Sequence, residues 1–89
     1  MSKDNQSEIP HPQQVKNASE LGQIIRAFRK GQHLTLEKVS GLTNVSMRFL
    51  SELERGKETA ELGKALSTLN KLGLEVIIQP RGYSEKDSR

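Results

Sequence analysis

The sequence contains no cysteine and no tryptophan, and aromatic residues make up only 3% of its 89 residues. Without cysteine, neither a disulfide nor a thiolate metal site can stabilise so short a chain. A core must therefore be built from leucine, isoleucine and valine, and chains of this size often gain stability from a second copy of themselves. We expect one small domain that holds no metal.

Long apolar runs are also lacking. No stretch approaches the roughly 20 residues that a helix needs to span a bilayer, and the first 19 residues lack the apolar core of a signal peptide. We therefore expect a cytoplasmic protein that does not contact a membrane. The formal net charge of +3 is compatible with nucleic-acid binding but is too small to indicate it.

Motifs typical of catalysis are missing. There are only two histidines, His11 and His33, and there is no P-loop, no His-Glu-x-x-His and no nucleophile-elbow serine. The paired carboxylates Glu52 and Glu54 are what adjacent turns of any charged surface helix supply. We expect no enzymatic activity, no cofactor and no small-molecule ligand. The few aromatic residues also argue against the common RNA-binding modules, which stack bases on such side chains.

Two polar segments flank the region that can fold. Residues 1–18 are rich in Gln, Asn, Ser and Pro, and bury too little apolar surface to offset the entropy of ordering, which predicts a flexible arm. Residues 82–89 form a second polar tail. The sequence therefore predicts a single domain over residues 19–81.

Apolar residues recur at helical spacing at the start of this domain: Leu21, Ile24, Ile25 and Phe28. Ser19 is the predicted N-cap of this first helix, and Gly31 its end. Thr35 is the predicted N-cap of a second, short helix with Leu36 and Val39 facing inward.

A turn and two further helices follow. Asn44 tolerates the left-handed conformation and marks a sharp turn. Ser46 is the predicted N-cap of a third helix, which Gly56 ends, and Thr59 the predicted N-cap of a fourth, which Gly73 ends. The predicted inward residues are Phe49, Leu50 and Leu53 in the third helix and Leu62, Leu66 and Leu69 in the fourth.

After Gly73 the spacing of the apolar residues changes from helical to every second residue. Leu74, Val76 and Ile78 alternate with Glu75, Ile77 and Gln79 up to Pro80, which predicts a β-strand over residues 74–79. A lone strand after four helices has no partner in the chain, so the simplest partner is the same strand of a second copy, paired across a two-fold axis. The alternative is a frayed tail or a further helix turn.

Residues 36–55 have the pattern of a helix-turn-helix motif. In this motif the first helix crosses the phosphates and the second enters the major groove, so the two helices must cross closely. Ser40 supplies the small residue at the crossing, and Asn44 the turn. The apolar wedge between the helices is formed by Val39, Val45, Leu50 and Leu53.

The same residues carry a family resemblance. Residues 20–79 resemble the Cro/C1-type (XRE) helix-turn-helix domain, through the run from Arg48 to Lys57 (RFLSELERGK). The continuation, TAELGK at 59–64 and LGLEV at 72–76, is similar to that of HipB-type antitoxins, the DNA-binding partners of HipA-type serine/threonine kinase toxins. Two positions depart from the family, which usually has glycine at Asn44 and commonly near His33.

The resemblance implies a fold and a set of roles. The fold is mainly α, with four to five short helices of the lambda-repressor-like type and the C-terminal strand. Expected base contacts are Ser46, Met47, Arg48, Ser51 and Glu52, and expected phosphate contacts are Thr35, Arg55 and Lys57. The resemblance also implies a structural ion pair between Arg29 and Glu54. The dimer strand is expected to use Leu74, Val76, Ile77 and Ile78.

The function implied is that of a bacterial, nucleoid-associated repressor. It would bind a palindromic operator as a homodimer, act as antitoxin to a HipA-type kinase toxin and repress its own operon. A stand-alone regulator without a toxin partner stays open as the alternative. A protein-interaction module that has lost DNA binding is less consistent with Arg48, Arg55 and Lys57.

Overall fold

The computed structural model of the chain describes residues 12–83, so parts of the predicted arm (1–11) and tail (84–89) lie outside the described residues. Within that range the chain forms four helices: α1 (Ala18–Gly31), α2 (Leu36–Thr43), α3 (Met47–Glu54) and α4 (Leu62–Lys71). None of the helices there is long and apolar enough to cross a membrane. The mainly helical fold class and the four predicted helices are confirmed.

The predicted N-caps of α2 and α3 are confirmed. The hydroxyl of Thr35 accepts a hydrogen bond from the Lys38 amide at 3.0 Å, and that of Ser46 accepts one from the Phe49 amide at 3.0 Å. In each case the side chain satisfies an amide that has no partner within its helix. Both helices of the helix-turn-helix motif therefore start at the residue whose side chain can cap them.

The predicted cap of α1 is wrong by two residues. Asn17, not Ser19, is the N-cap, and its Oδ1 accepts from the Glu20 amide at 2.8 Å. The Glu20 carboxylate in turn accepts from the Lys16 amide at 2.8 Å. This reciprocal arrangement satisfies two amides at once, which a serine at position 19 does not do.

The start of α4 also differs from the prediction. Its N-cap residue is Glu61, without a side-chain capping bond, whereas Thr59 lies in the preceding turn. Of the three predicted inward leucines, Leu69 is buried, whereas Leu62 and Leu66 are 68% and 42% exposed, so the prediction is wrong for those two.

Two small residues complete the buried face of α4 beside Leu69. Ala65, Thr68 and Leu69 are buried, and Thr68 is 0% exposed. Its hydroxyl donates to the Lys64 carbonyl at 2.8 Å, so the side chain is buried without leaving a polar group unpaired. Ala65 and Thr68 are short enough for α4 to approach the core closely.

The core lies between α1, α3 and α4. Ile25 of α1 and Leu53 of α3 pack with Ala65 and Leu69 of α4. Val39 and Leu50 are buried where α2 meets α3. Further apolar residues cover the edges of this cluster: Leu21, Phe49, Ala60, Leu72 and Leu74.

The predicted C-terminal strand is not present in the single chain. Residues 74–80 have no regular secondary structure. A strand is defined by hydrogen bonds to a neighbouring strand, and the described residues contain no second strand to pair with. Leu74 instead packs against the core, and its amide donates to the Leu69 carbonyl at 2.9 Å. Val76, Ile77 and Ile78 are exposed, Ile78 to 95%.

Candidate nucleic-acid interface

The turn between α2 and α3 has the predicted left-handed residue. Asn44 follows the last residue of α2 with φ 63° and ψ 30°, and its amide donates to the Ser40 carbonyl at 2.8 Å. A short polar side chain reaches this conformation at lower cost than most others. The chain can therefore reverse within three residues and start α3 at Met47.

Ser40 has a second role that its size alone did not indicate. Its hydroxyl donates to the Val45 carbonyl at 2.6 Å, across the turn. Alanine or glycine at this position would allow the same close crossing but would leave that carbonyl without this bond. The signal available in the sequence was a hydroxyl residue one turn before a predicted reversal.

Helix α3 presents two different faces. Its inward face consists of Leu50, Leu53 and Glu54, all buried. Met47 is 47% exposed, and the Arg48 side chain is 86% exposed. The other expected base contacts lie on both sides of this pair: Ser46 is exposed at the N-cap, and Ser51 and Glu52 are half-buried one turn later.

Two predicted DNA-contacting residues, Arg48 and Lys57, both contact a third, Glu52. Glu52 accepts from the Arg48 Nε at 3.3 Å and from the Lys57 Nζ at 3.0 Å. The hydrogen bond from Lys57 and then that from Arg48 lower the pKa of the Glu52 carboxyl. The cations at the two ends of α3 are thus joined through one carboxylate.

The remaining expected phosphate contacts lie apart from this group. Thr35 is exposed at the start of α2, where its oxygen accepts the capping bond while its O–H can still donate. Arg55 is exposed immediately after α3. Among the described residues, neither side chain forms a hydrogen bond or ion pair with Arg48, Glu52 or Lys57.

A buried ion pair fixes the end of α3 to α1. The Arg29 guanidinium donates to the Glu54 carboxylate from Nε at 2.6 Å and from Nη2 at 3.0 Å, and its Nη1 donates to the Leu34 carbonyl at 2.8 Å. Both side chains are at most 10% exposed. The hydrogen bond to Glu54 raises the pKa of Arg29. These are the two residues that the resemblance pairs, and their contact sets the orientation of α3.

A relative among known proteins shows the family of this chain. No family model matches the chain. It is 36% identical over 72 residues to the uncharacterized HTH-type transcriptional regulator y4mF of Sinorhizobium fredii, an alignment that covers 81% of this chain and 95% of that protein. The chain belongs to the HTH-type transcriptional regulators.

A second relative of the same class is longer. The chain is 38% identical over 64 residues to the transcriptional regulator ClgR of Mycobacterium tuberculosis, which covers 70% of this chain and 57% of ClgR. The chain thus matches little more than half the length of ClgR. Both relatives are transcriptional regulators, and y4mF is of the HTH type, which agrees with the predicted class of protein.

One residue that positions α3 of this HTH-type regulator was missed from the sequence. Gly22 is buried in α1, and a Cβ at this position would overlap the carbonyl oxygens of Leu53 and Glu54. Only glycine lets α1 lie this close to the end of α3. The signal was a glycine within a helical pattern, which often marks a close helix contact.

Proposed function

We propose that this chain is a sequence-specific repressor that acts in the bacterial cytoplasm, at the nucleoid, by inserting α3 into the major groove of operator DNA. The observation that carries the proposal is the division of α3 into a buried face and an exposed N-terminal end. The buried face holds the helix against the rest of the fold through Leu50, Leu53 and Glu54. Met47 and Arg48 are exposed and do not contribute to the core.

The exposed side chains have chemistry suited to base edges. Arg48 can donate in bidentate fashion to guanine O6 and N7, which is worth ~1–3 kcal/mol of discrimination. Met47 can contact a thymine methyl group. Arg55 and Lys57 follow the helix, where cations contact phosphate and set register without reading sequence. Ser46, Ser51 and Thr35 supply further hydroxyl donors.

The proposal includes a homodimer joined through residues 74–79. Val76, Ile77 and Ile78 are exposed, and the backbone of this segment forms no ladder in the described chain. Pairing with the same segment of a second copy would cover both the apolar side chains and the backbone groups. A two-fold dimer places its reading helices roughly 34–36 Å apart, so the operator is expected to be a palindrome.

Selection from a randomised duplex pool tests the DNA-binding proposal. The recovered sequences should form a palindrome, and binding to them should weaken as salt rises, since phosphate contacts release counterions. Recovery of no enriched sequence at any salt concentration would contradict the proposal. Removal of residues 75–89, which keeps the core residue Leu74, tests the dimer: the shortened chain should sediment as a folded monomer and bind the selected duplex far more weakly.

We further propose that the regulator is an antitoxin to a HipA-type kinase and represses its own operon more tightly with the kinase bound. The support is the resemblance of residues 48–76 to the HipB type. The kinase would contact surfaces away from α3, such as α1 around Arg26 and Lys30, the outer face of α4, where Leu62 and Leu66 are exposed, or a polar tail.

Co-expression with the adjacent gene tests the antitoxin role. The two products should co-purify at low salt, and the complex should bind the selected duplex more tightly than the regulator alone. A folded, DNA-competent regulator that does not retain the neighbouring product would favour the alternative, a stand-alone regulator with no toxin partner.

A further inference from the structure

Glu52 lies between the two cations that flank the exposed end of α3. Arg48 is one helical turn before it and Lys57 lies beyond the helix, and both donate to the same carboxylate, at 3.3 Å and 3.0 Å. The Glu52 side chain is 24% exposed, whereas the Arg48 side chain is 86% exposed. Glu52 is therefore set back from the surface that both cations extend beyond.

The donor atom on Arg48 matters for what the rest of its side chain can do. Arg48 uses Nε for the bond to Glu52. Its two terminal nitrogens form no hydrogen bond with the described residues. A guanidinium held at Nε keeps its terminal pair available for an outer acceptor, and a planar pair of donors matches guanine O6 and N7.

We propose that Glu52 is a positioning residue that sets operator specificity: it holds Arg48 for guanine and occupies Lys57 until a phosphate displaces it. This inference rests on the proposed DNA-binding function and deepens it. It differs from the direct base contact expected of Glu52, which for a carboxylate is a hydrogen bond accepted from cytosine N4, because that contact requires the carboxylate to leave at least one of its two cations.

Glu52 affects DNA binding more than folding. Exposed ion pairs contribute little to stability and are screened by salt, so this group is not needed to hold α3 in place. A carboxylate on a surface that approaches phosphates disfavours every duplex alike. The gain from a correctly placed Arg48 arises only where a guanine is present. Glu52 therefore weakens non-specific binding more than specific binding.

Substitution of Glu52 with glutamine removes the charge and keeps the shape. The probes are a duplex selected by the unmodified chain and a scrambled duplex of the same length and composition, each titrated across salt. We expect E52Q to lower the ratio of the two affinities about fivefold or more, the smallest discrimination expected of a bidentate contact. We also expect a salt slope on the scrambled duplex that is steeper by about one, because Lys57 becomes free to contact phosphate.

Two matched variants separate this role from a general charge effect. E58Q removes the same charge six residues away, where Glu58 is exposed and forms no hydrogen bond or ion pair in the described part of the chain. It should leave the affinity ratio unchanged. The double variant E52Q/K57Q should return the scrambled-duplex salt slope to that of the unmodified chain.

The outcomes are distinguishable. An unchanged affinity ratio in E52Q, or an equal change in E58Q, would overturn the inference while leaving the proposed function intact. Loss of preference at one cytosine, with non-specific affinity and salt slope unaltered, would overturn it in favour of the cytosine contact. If the unmodified chain binds no duplex, the proposed function itself fails.

Discussion

The carboxylate of Glu54, the last residue of α3, accepts two hydrogen bonds from the guanidinium of Arg29 on α1, at 2.6 Å and 3.0 Å. The helix proposed to read DNA is therefore fixed at its C-terminal end to α1, in addition to its packing against α2. Because both groups are buried, each depends on the other for compensation of its charge.

Removal of one member of this pair should destabilise the fold strongly. We expect Glu54→Ala to lower the free energy of unfolding by about 3 kcal/mol, because Arg29 is left buried without its counter-charge. Urea denaturation followed by circular dichroism measures this. Glu58→Ala, at an exposed position, is the control and should change stability by less than about 0.5 kcal/mol.

Replacement of both charges should be far less harmful than removal of one. Arg29→Met combined with Glu54→Leu leaves no uncompensated charge, so most of the lost stability should return. If the double variant is as unstable as Glu54→Ala, the cost comes from lost packing and not from a stranded cation.

The close approach of α1 to α3 predicts opposite effects for two glycines. Gly22→Ala forces a Cβ against the backbone carbonyls of Leu53 and Glu54 and should cost about 1–3 kcal/mol. Gly41→Ala, within α2, meets nothing within 4 Å and should stabilise by roughly 0.5–1 kcal/mol. Thermal unfolding of both variants checks the pair, and equal effects would contradict the described packing.

The two cations around Glu52 should respond differently to truncation. Arg48→Ala should relax preference at one base pair of each half-site, whereas Lys57→Ala should weaken the selected duplex and its single-base variants equally and flatten their salt slope by about one, because Lys57 leaves Glu52 for a phosphate in the specific complex. Competition binding with single-base variants of the selected duplex measures both. Equal losses for Arg48→Ala on operator and random DNA would assign Arg48 to phosphate instead.

The stability contributed by Glu52 should depend on pH. Its pKa is lowered in the folded state from an ordinary value of 4.5, so its contribution is present above pH 4.5 and is lost as the pH falls through the folded-state pKa. The melting temperature of the unmodified chain should exceed that of Glu52→Gln at pH 7, and the small difference should vanish in acid. A difference that is constant with pH would show that the Glu52 charge is not its source.

Features decided by neighbouring residues could be predicted from the sequence. The caps at Thr35 and Ser46 and the left-handed turn at Asn44 depend on chemistry within three or four residues. The cap of α1 was misplaced because Asn17 and Ser19 are both suitable caps, and the choice depends on the reciprocal bond with Glu20.

Features that depend on contacts between distant parts of the chain could not be predicted from the sequence. The buried face of α4 is set by how closely it approaches the core, which favours Ala65 and Thr68 over Leu62 and Leu66. The predicted strand at 74–79 is absent from the described chain, which offers that segment no neighbouring strand to pair with. The Glu52 contacts combine residues on either side of a helix end, and their distances depend on how the chain leaves α3 after Arg55.

The two faces of α3 also bear on how such a protein can diverge. Leu50, Leu53 and Glu54 maintain the fold, while Met47 and Arg48 lie outside the core. Substitutions at those exposed positions carry little folding penalty, so under the proposed function duplicated copies of the gene can acquire new operator preferences without an intermediate that fails to fold.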